Sequence, residues 1–407
     1  MSDRKQTTGS NSMGLLAHLA PILASVTVIF LTTGAALPAL PLYIHDSLGF
    51  GVFVVGLVSG AQFAAALLSR LVAGTLSDTR GPKVAVVTGL FLAIVAALIY
   101  LLSLILVENP TASVAVLVAG RTVMGGAESF VITGAQSWGL AVAGPGNAGK
   151  VIGWIGTAMY IALAVGAPIG SLLFEAFGFA AIAVVTLGAS TISLLAIVRV
   201  PSERRGPSRA RRWKPVLRAV WLPGVGMMGA SLGYGAMTAF SVLLFVQRGW
   251  EPAWLPFTAF AVALVVARVT FAGLPDRIGG AKTAMIFVIV QAAGMALIWL
   301  SPTPALGFFG ALVTGLGYSF VFPGLGIEAV RRAPADSKGS AMAVYTAFID
   351  VALGILTPLL GLLAGAYGLG AVFATSAVLA LCTVPIAAHL RRSSDDVEPS
   401  EQVSPES

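Results

Sequence analysis

Three ionisable residues lie deep inside apolar stretches of the sequence, where charge is expensive. Arg121 and Glu128 fall in GRTVMGGAESFVITGAQSW (120–138), and Asp350 falls in YTAFIDVALG (345–354). At the middle of a membrane-spanning helix, an arginine costs at least about 2.5–3.5 kcal/mol to insert. A fixed guanidinium there can bind an anionic group or lower the pKa of a neighbouring carboxylate, and a carboxylate at that depth can exchange a proton.

The spacing of the first two residues predicts one shared surface. Seven residues at about 100° each return to nearly the same helix face, roughly 10 Å further along the axis. We therefore expect Arg121 and Glu128 to share one water-accessible surface, and the spacing by itself does not place them in direct contact. The functional interpretation is a water-accessible proton or substrate site that includes Asp350, and the structural alternative is a buried ion-paired cluster that holds helices together.

The elements that must position these residues are membrane helices. Of the 407 residues, 57% are hydrophobic and 10% are charged, and the mean hydropathy is +0.92. Apolar spans of about 20 residues, each long enough to cross a bilayer, recur along the chain. We predict an all-α integral membrane protein whose twelve transmembrane helices form two pseudo-symmetric six-helix bundles. The predicted spans are 14–43, 52–77, 84–107, 112–141, 150–173, 178–198, 217–246, 253–275, 283–300, 304–328, 340–364 and 369–390.

The distribution of basic residues predicts the orientation of the chain. Twenty of the 24 Lys and Arg residues fall in alternate loops or at the termini, which places both termini in the cytoplasm by the positive-inside rule. The net charge of +7 therefore indicates contact with anionic lipid rather than with nucleic acid. A cleaved signal peptide is disfavoured because the first apolar run is too long. Cys382, the only cysteine, excludes an intramolecular disulfide, and we expect it to pack inside a helix bundle.

A long polar segment divides the chain into comparable halves. We predict a cytoplasmic N-terminal tail (1–13), a first bundle (14–198), a basic cytoplasmic linker (199–216), a second bundle (217–390) and a disordered cytoplasmic tail (391–407). LLSRLVAGTLSDTRGPK (67–83) aligns with VVARVTFAGLPDRIGGAK (265–282) at an offset of 198. NAGKVIGWIGTAMYIALAVGAPIGSLLFEAFG (147–178) aligns with residues 336–368, and its Pro168 and Gly178 match Pro358 and Gly368 at an offset of 190. Two such matches in the same order indicate a duplicated six-helix unit.

The segment GTLSDTRGPK (74–83) joins the second and third predicted helices through a tight turn. Gly81 permits a turn conformation that a side chain would oppose, and Asp78 can bind the positive N-terminal end of another helix. The segment resembles the signature loop of the major facilitator superfamily, although Thr79 and Pro82 replace arginines usual in that family. The matching residues are Gly74, Leu76, Asp78, Gly81 and Lys83, with Leu274, Asp276, Arg277 and Gly279 in a degraded second copy.

The resemblance extends over essentially the whole chain. Three segments are similar to an arabinose-efflux-permease-like, YhhS- and YfcJ-like bacterial branch of that family: GGAESFVITGAQSWG, GYSFVFPGLGIEAVRRAP and YTAFIDVALG. It implies that the signature loop holds an inner gate shut, where the alternative is a simple topological anchor. It also implies that Asp350 lies at the edge of a central cavity. Gln62, Gln136, Tyr318 and Tyr345 are candidate cavity groups, and ordinary helix–helix hydrogen bonding is the alternative for each.

The fifth predicted helix carries Gly166, Pro168 and Gly170 in ALAVGAPIGSLL. This run resembles the glycine–proline pattern of antiporters in the superfamily, with shortened glycine spacing. A generic packing seam of small residues is the competing interpretation, because small residues let helix backbones approach closely.

These features predict a secondary transporter rather than an enzyme. We expect proton-coupled efflux of a sugar-like, metabolite or drug-like molecule across the bacterial inner membrane by alternating access, by a monomer that uses the proton gradient and needs no cofactor or metal. A symporter or facilitator that imports a sugar or organic acid remains open. So does a non-transporting membrane sensor or scaffold.

Overall fold

The computed structural model describes residues 3–143, 148–201, 213–271, 273–334 and 338–395. Most of the predicted linker (202–212) and the end of the predicted C-terminal tail (396–407) lie outside the described residues. So do residues 1 and 2 of the predicted N-terminal tail. From Asp3 onward that tail is already helical.

Fifteen α-helical segments make up the described chain. They are α1 (Asp3–Leu42), α2 (Val52–Arg80), α3 (Pro82–Ile105), α4 (Pro110–Ala143), α5 (Ala148–Phe177), α6 (Phe179–Val198), α7 (Trp213–Gln247), α8 (Leu255–Thr270), α9 (Leu274–Ile278), α10 (Gly280–Leu300), α11 (Pro304–Arg332), α12 (Lys338–Val351), α13 (Thr357–Tyr367), α14 (Leu369–Leu381) and α15 (Thr383–Asp395). Single π-helical turns extend α1 over Tyr43–Ser47 and join α12 to α13 over Ala352–Leu356.

Eleven of the described helical stretches are long and apolar enough to cross a membrane. The remaining predicted crossing, the eighth in chain order (253–275), is shorter than expected. Its apolar helix α8 ends at Thr270, and the short helix α9 begins at Leu274. Pro275 stands in the first turn of α9, where proline is tolerated, whereas within a continuous helix it would remove a hydrogen bond and clash with the preceding turn.

The chain forms two compact units. The first comprises 1–50 and 61–209, and the second comprises 51–60 and 210–407, so that α2 contributes its first residues to the second unit and the rest to the first. Within the first unit, α3 packs along α4 and α1 along α5; within the second, α10 packs along α11 and α7 along α12. The same helix pairs therefore recur in each half, as the duplicated sequence predicts.

The turns repeat as well as the helices. In the described chain, the residues with positive φ are six glycines: Gly49, Gly81, Gly178, Gly249, Gly279 and Gly368. Gly81 (φ 102°) and Gly279 (φ 88°) are the paired turn glycines of the two signature-like loops, where a side chain would be strained. Gly178 and Gly368 are the pair predicted at the offset of 190. The remaining two lie 200 residues apart and were not paired from the sequence.

Candidate functional site

Helix α4 carries both Arg121 and Glu128 into the interior of the first unit. The helix runs without interruption from Pro110 to Ala143. Both side chains are buried: Arg121 is 1% exposed and Glu128 is 7% exposed. The predicted shared surface is thus an interior one.

The carboxylate of Glu128 is held by two other helices. The Thr33 hydroxyl of α1 and the Gln62 amide of α2 both donate to its Oε1, the latter at 2.7 Å. Gly125, three residues before Glu128, allows this approach, because a Cβ there would lie 2.7 Å from the carbonyl carbon of Gln62. Three helices therefore converge on one carboxylate oxygen, and neither donor reaches Oε2.

Arg121 has a different environment from Glu128. Its Nε, Nη1 and Nη2 atoms are buried, and none of them makes a hydrogen bond of good geometry with a described residue. The buried hydroxyl of Tyr100 in α3 is a hydrogen-bonding neighbour of this guanidinium. The guanidinium interacts electrostatically with both Tyr100 and Glu128. Because Arg carries five N–H donors, and a buried charge without hydrogen bonds is costly, this side chain is suited to receive an anionic group.

Asp350 lies in α12 of the second unit. It is buried, with 7% of its surface exposed. Tyr160, its repeat-equivalent, lies in α5 of the first unit and is partly exposed. The predicted association of Asp350 with Arg121 and Glu128 stays a prediction.

The four predicted cavity residues have different surroundings. Gln62 belongs to the Glu128 site, and Gln136 is half-buried in α4. Tyr318 is buried with its ring centroid 5.5 Å from that of Tyr234. Tyr345 is fully buried and donates to the carbonyl of Phe322 at 2.8 Å. This hydrogen bond of Tyr345 is an ordinary helix–helix contact, which is the alternative interpretation given above for the cavity candidates.

The signature-like loop contains an anchor that the sequence did not reveal. The ammonium of Lys83 donates to the carbonyl oxygens of Val198 at 2.7 Å and Val200 at 2.5 Å, which caps the C-terminal end of α6. Of the other loop residues, Gly74 is buried, Leu76, Asp78 and Leu274 are half-buried, and Arg277 and Gly279 are exposed. The side chain of Asp276 lies outside the described residues.

The predicted antiporter-like run forms a close seam between α5 and α1. A Cβ on Gly166 would lie 3.0 Å from the amide nitrogen of Ala35, and one on Gly170 would lie 2.5 Å from its carbonyl carbon. Pro168 lies inside α5 without ending it. The seam gives both glycines a packing role.

Two further sets of polar contacts were not predicted from the sequence. Glu328, which is 2% exposed, accepts the backbone N–H of Ala281 at 3.2 Å and pairs with Arg331 (2.7 Å) and Arg332. The second is formed by Arg248, which binds the last carbonyls of α10. The spacing of Glu328 from the two arginines, three and four residues, is a readable helix signal.

Cys382 corrects another expectation. Its side chain is exposed rather than buried in helix packing. It lies at the break between α14 and α15.

The repeated apolar helices make this chain a polytopic helical membrane protein. Each of its two units buries ionisable side chains. The chain belongs to the major facilitator superfamily: the model of the Major Facilitator Superfamily matches residues 22–256 and 253–406. The predicted family and fold are thereby confirmed.

Sequence relatives place the chain more narrowly. It is 38% identical over 363 residues to the uncharacterized MFS-type transporter STM4428 of Salmonella typhimurium, covering 88% of this chain and 93% of that protein. It is 35% identical over 369 residues to the uncharacterized MFS-type transporter YhhS of Escherichia coli K12, covering 91% of each. The YhhS-like resemblance is confirmed.

Solved structures agree on the fold. A bacterial homolog of the human lysosomal transporter Spinster gives a TM-score of 0.74 at 11% identity, covering 96% of this chain and 99% of that one. The nucleoside transporter NupG gives 0.73 at 14% identity, with 92% and 99% covered. A D-xylose–proton symporter gives 0.73 at 12% identity, with 91% and 96% covered.

Proposed function

We propose that the chain is a secondary active transporter that exports a small organic molecule in exchange for protons by alternating access. The observation that carries the proposal is the buried pair on α4. Glu128 is oriented through Oε1 by Thr33 and Gln62, and Arg121 offers buried guanidinium nitrogens that make no hydrogen bond of good geometry with a described residue. An ionisable group inside a membrane segment is by default a hypothesis for a functional site.

The pair divides the chemistry between two side chains. Arg121 binds an anionic group of the substrate or stabilises the ionised form of Glu128, and Glu128 exchanges the proton. Asp350 is a second candidate for proton exchange. Competition between proton and substrate for this site couples their opposite movements, with the proton gradient as the energy source and no cofactor. The protein acts as a monomer in the bacterial inner membrane, with both termini in the cytoplasm.

Import is the second candidate function. It is favoured by structural neighbours named as a fucose:proton symporter and a D-xylose–proton symporter. Export is favoured by the resemblance of the run around Gly166, Pro168 and Gly170 to antiporters. The close packing at the two glycines accounts for their presence in either direction of transport.

The direction and the substrate class are tested in cells with a metabolite panel. Retention of sugars, amino acids, organic acids and lipophilic cations is measured by mass spectrometry in cells with the wild-type protein or its Asp78→Asn variant, with and without protonophore. Export predicts lower retention of one compound in wild-type cells, reversed by protonophore. Higher retention would replace export by import, and no difference across the panel would favour the sensor or scaffold.

The mechanism is tested with the substrate so identified, in proteoliposomes with an imposed pH gradient. Glu128→Gln and Asp350→Asn are expected to lower gradient-driven transport while the purified protein stays monodisperse. Glu175→Gln is the matched control, because Glu175 is an exposed carboxylate of the same unit. Full gradient-driven transport by both Glu128→Gln and Asp350→Asn would remove the mechanism.

A further inference from the structure

A groove on the outer surface of the first unit lies apart from the Glu128 site. It has a volume of about 490 Å³ and runs between α3 and α6. Phe91 of α3 and Leu195 and Val198 of α6 line it with apolar surface, and each of them is more than half exposed. Because both helices are membrane spans, this concave surface faces the acyl chains of the bilayer.

One end of the groove is polar and basic. Thr88 and Arg199 lie there, and none of the described lining residues is acidic. Arg199 is exposed, and its guanidinium makes no hydrogen bond or ion pair with a described residue. This end lies where α3 begins and α6 finishes, which the positive-inside rule assigns to the cytoplasmic leaflet, the leaflet that attracts basic side chains through its anionic lipids.

The end of α6 is prepared for an anion by Lys83. A helix C-terminus carries partial negative charge and by itself would repel a phosphate. Here the Lys83 ammonium occupies the carbonyl oxygens of Val198 and Val200, at 2.7 and 2.5 Å. The C-terminal charge of the helix is thereby offset, and Arg199 remains available to a ligand.

We propose that this groove binds an anionic glycerophospholipid of the cytoplasmic leaflet. An acyl chain lies against Phe91, Leu195 and Val198, and the phosphate accepts hydrogen bonds from the Arg199 guanidinium. The Thr88 hydroxyl is placed to donate to an ester oxygen of the glycerol. The proposal depends on neither the direction of transport nor the role of Glu128.

The test measures retained lipid by native mass spectrometry on the full chain. The protein is purified from nanodiscs that contain equal amounts of phosphatidylglycerol and phosphatidylethanolamine. Wild type is expected to retain phosphatidylglycerol preferentially. Arg199→Gln is expected to lower that retention about fivefold, as one basic residue near an anionic surface contributes, and Arg199→Lys is expected to restore most of it. Arg218→Gln is the matched control, since Arg218 is an exposed arginine of the second unit at the start of α7.

A second variant tests whether the lipid needs the open space of the groove. Thr88→Trp is expected to fill it and to reduce retention of diacyl phosphatidylglycerol while Arg199 is still present. Equal retention of the two lipids by wild type would overturn the proposal. So would unchanged phosphatidylglycerol retention in Arg199→Gln, or an equal loss in Arg218→Gln, which would indicate general surface electrostatics.

Discussion

Lys83 is expected to stabilise the first unit rather than to act only at a gate. Its ammonium makes two charge-assisted hydrogen bonds with the end of α6, and each such bond is worth about 1.5–3 kcal/mol when buried. Lys83 is half-exposed, so solvent screening reduces the sum to about 1–2 kcal/mol. Lys83→Met keeps the aliphatic stem and removes the charge. It should lower the free energy of unfolding by that amount, which changes the folded-to-unfolded ratio about 5- to 30-fold.

The assay is reversible unfolding in mixed micelles at increasing SDS fraction, followed by tryptophan fluorescence. Lys282→Met is the matched control. Lys282 follows the paired turn of the second unit, is exposed, and makes no hydrogen bond with a described residue. Its substitution should leave the unfolding midpoint unchanged. Lys83→Arg, which keeps a donor and the charge, should fall between wild type and Lys83→Met.

Two outcomes would refute the reasoning about Lys83. One is equal stability of Lys83→Met and wild type. The other is an equal loss in Lys282→Met, which would show that the carbonyl contacts contribute nothing beyond general charge. If Lys83→Met kept full stability but lost transport, the gate interpretation implied by the family resemblance would be favoured instead.

Three further predictions concern contacts between helices. Gly170→Leu should reduce the yield of monodisperse protein, because overpacking against the α1 backbone costs about 1–3 kcal/mol or more. Gly156→Leu is the control and should leave the yield unchanged, because no atom lies within 4 Å of a Cβ added there. Arg248→Gln should lower the free energy of unfolding by about 1–3 kcal/mol, because Arg248 donates to three carbonyls and a hydroxyl at the end of α10. Arg248→Lys should have an intermediate stability in the same SDS titration. Tyr345→Phe should lower the free energy of unfolding by about 1 kcal/mol, because the 2.8 Å hydrogen bond to the carbonyl of Phe322 is lost, and it should leave transport unchanged. Weaker substrate binding at full stability would instead support the prediction that Tyr345 is a cavity residue.

The sequence predicted the helices and two of the three turn pairs because those features are local. Apolar length determines a membrane span, and glycine is the residue that adopts positive φ without strain. Gly81 and Gly279 could be paired because an aspartate precedes each of them at the same spacing. The pair Gly49 and Gly249 was missed because the flanking residues share no polar pattern.

The partners of the buried residues could not be predicted in the same way. Helix periodicity places Arg121 and Glu128 on one face, but Thr33 and Gln62 are 95 and 66 residues from Glu128 along the chain. Gln62 was a candidate cavity group, but nothing in the local sequence pairs it with Glu128, and nothing distinguishes Thr33 from the other polar residues of α1. The Lys83 anchor, which spans 115 residues, was hidden for the same reason.

The two interpretations of the buried charges predict different surroundings for the guanidinium of Arg121. A structural ion-paired cluster would satisfy the guanidinium through hydrogen bonds with neighbouring helices, because only then does burial of the charge offset its desolvation. Glu128 does satisfy one oxygen in this way, through α1 and α2. The guanidinium of Arg121 makes no hydrogen bond of good geometry with a described residue, and its partners inside the unit are Tyr100 and Glu128. Under the proposed function, an anionic group that arrives with the substrate offsets the cost of burying this charge.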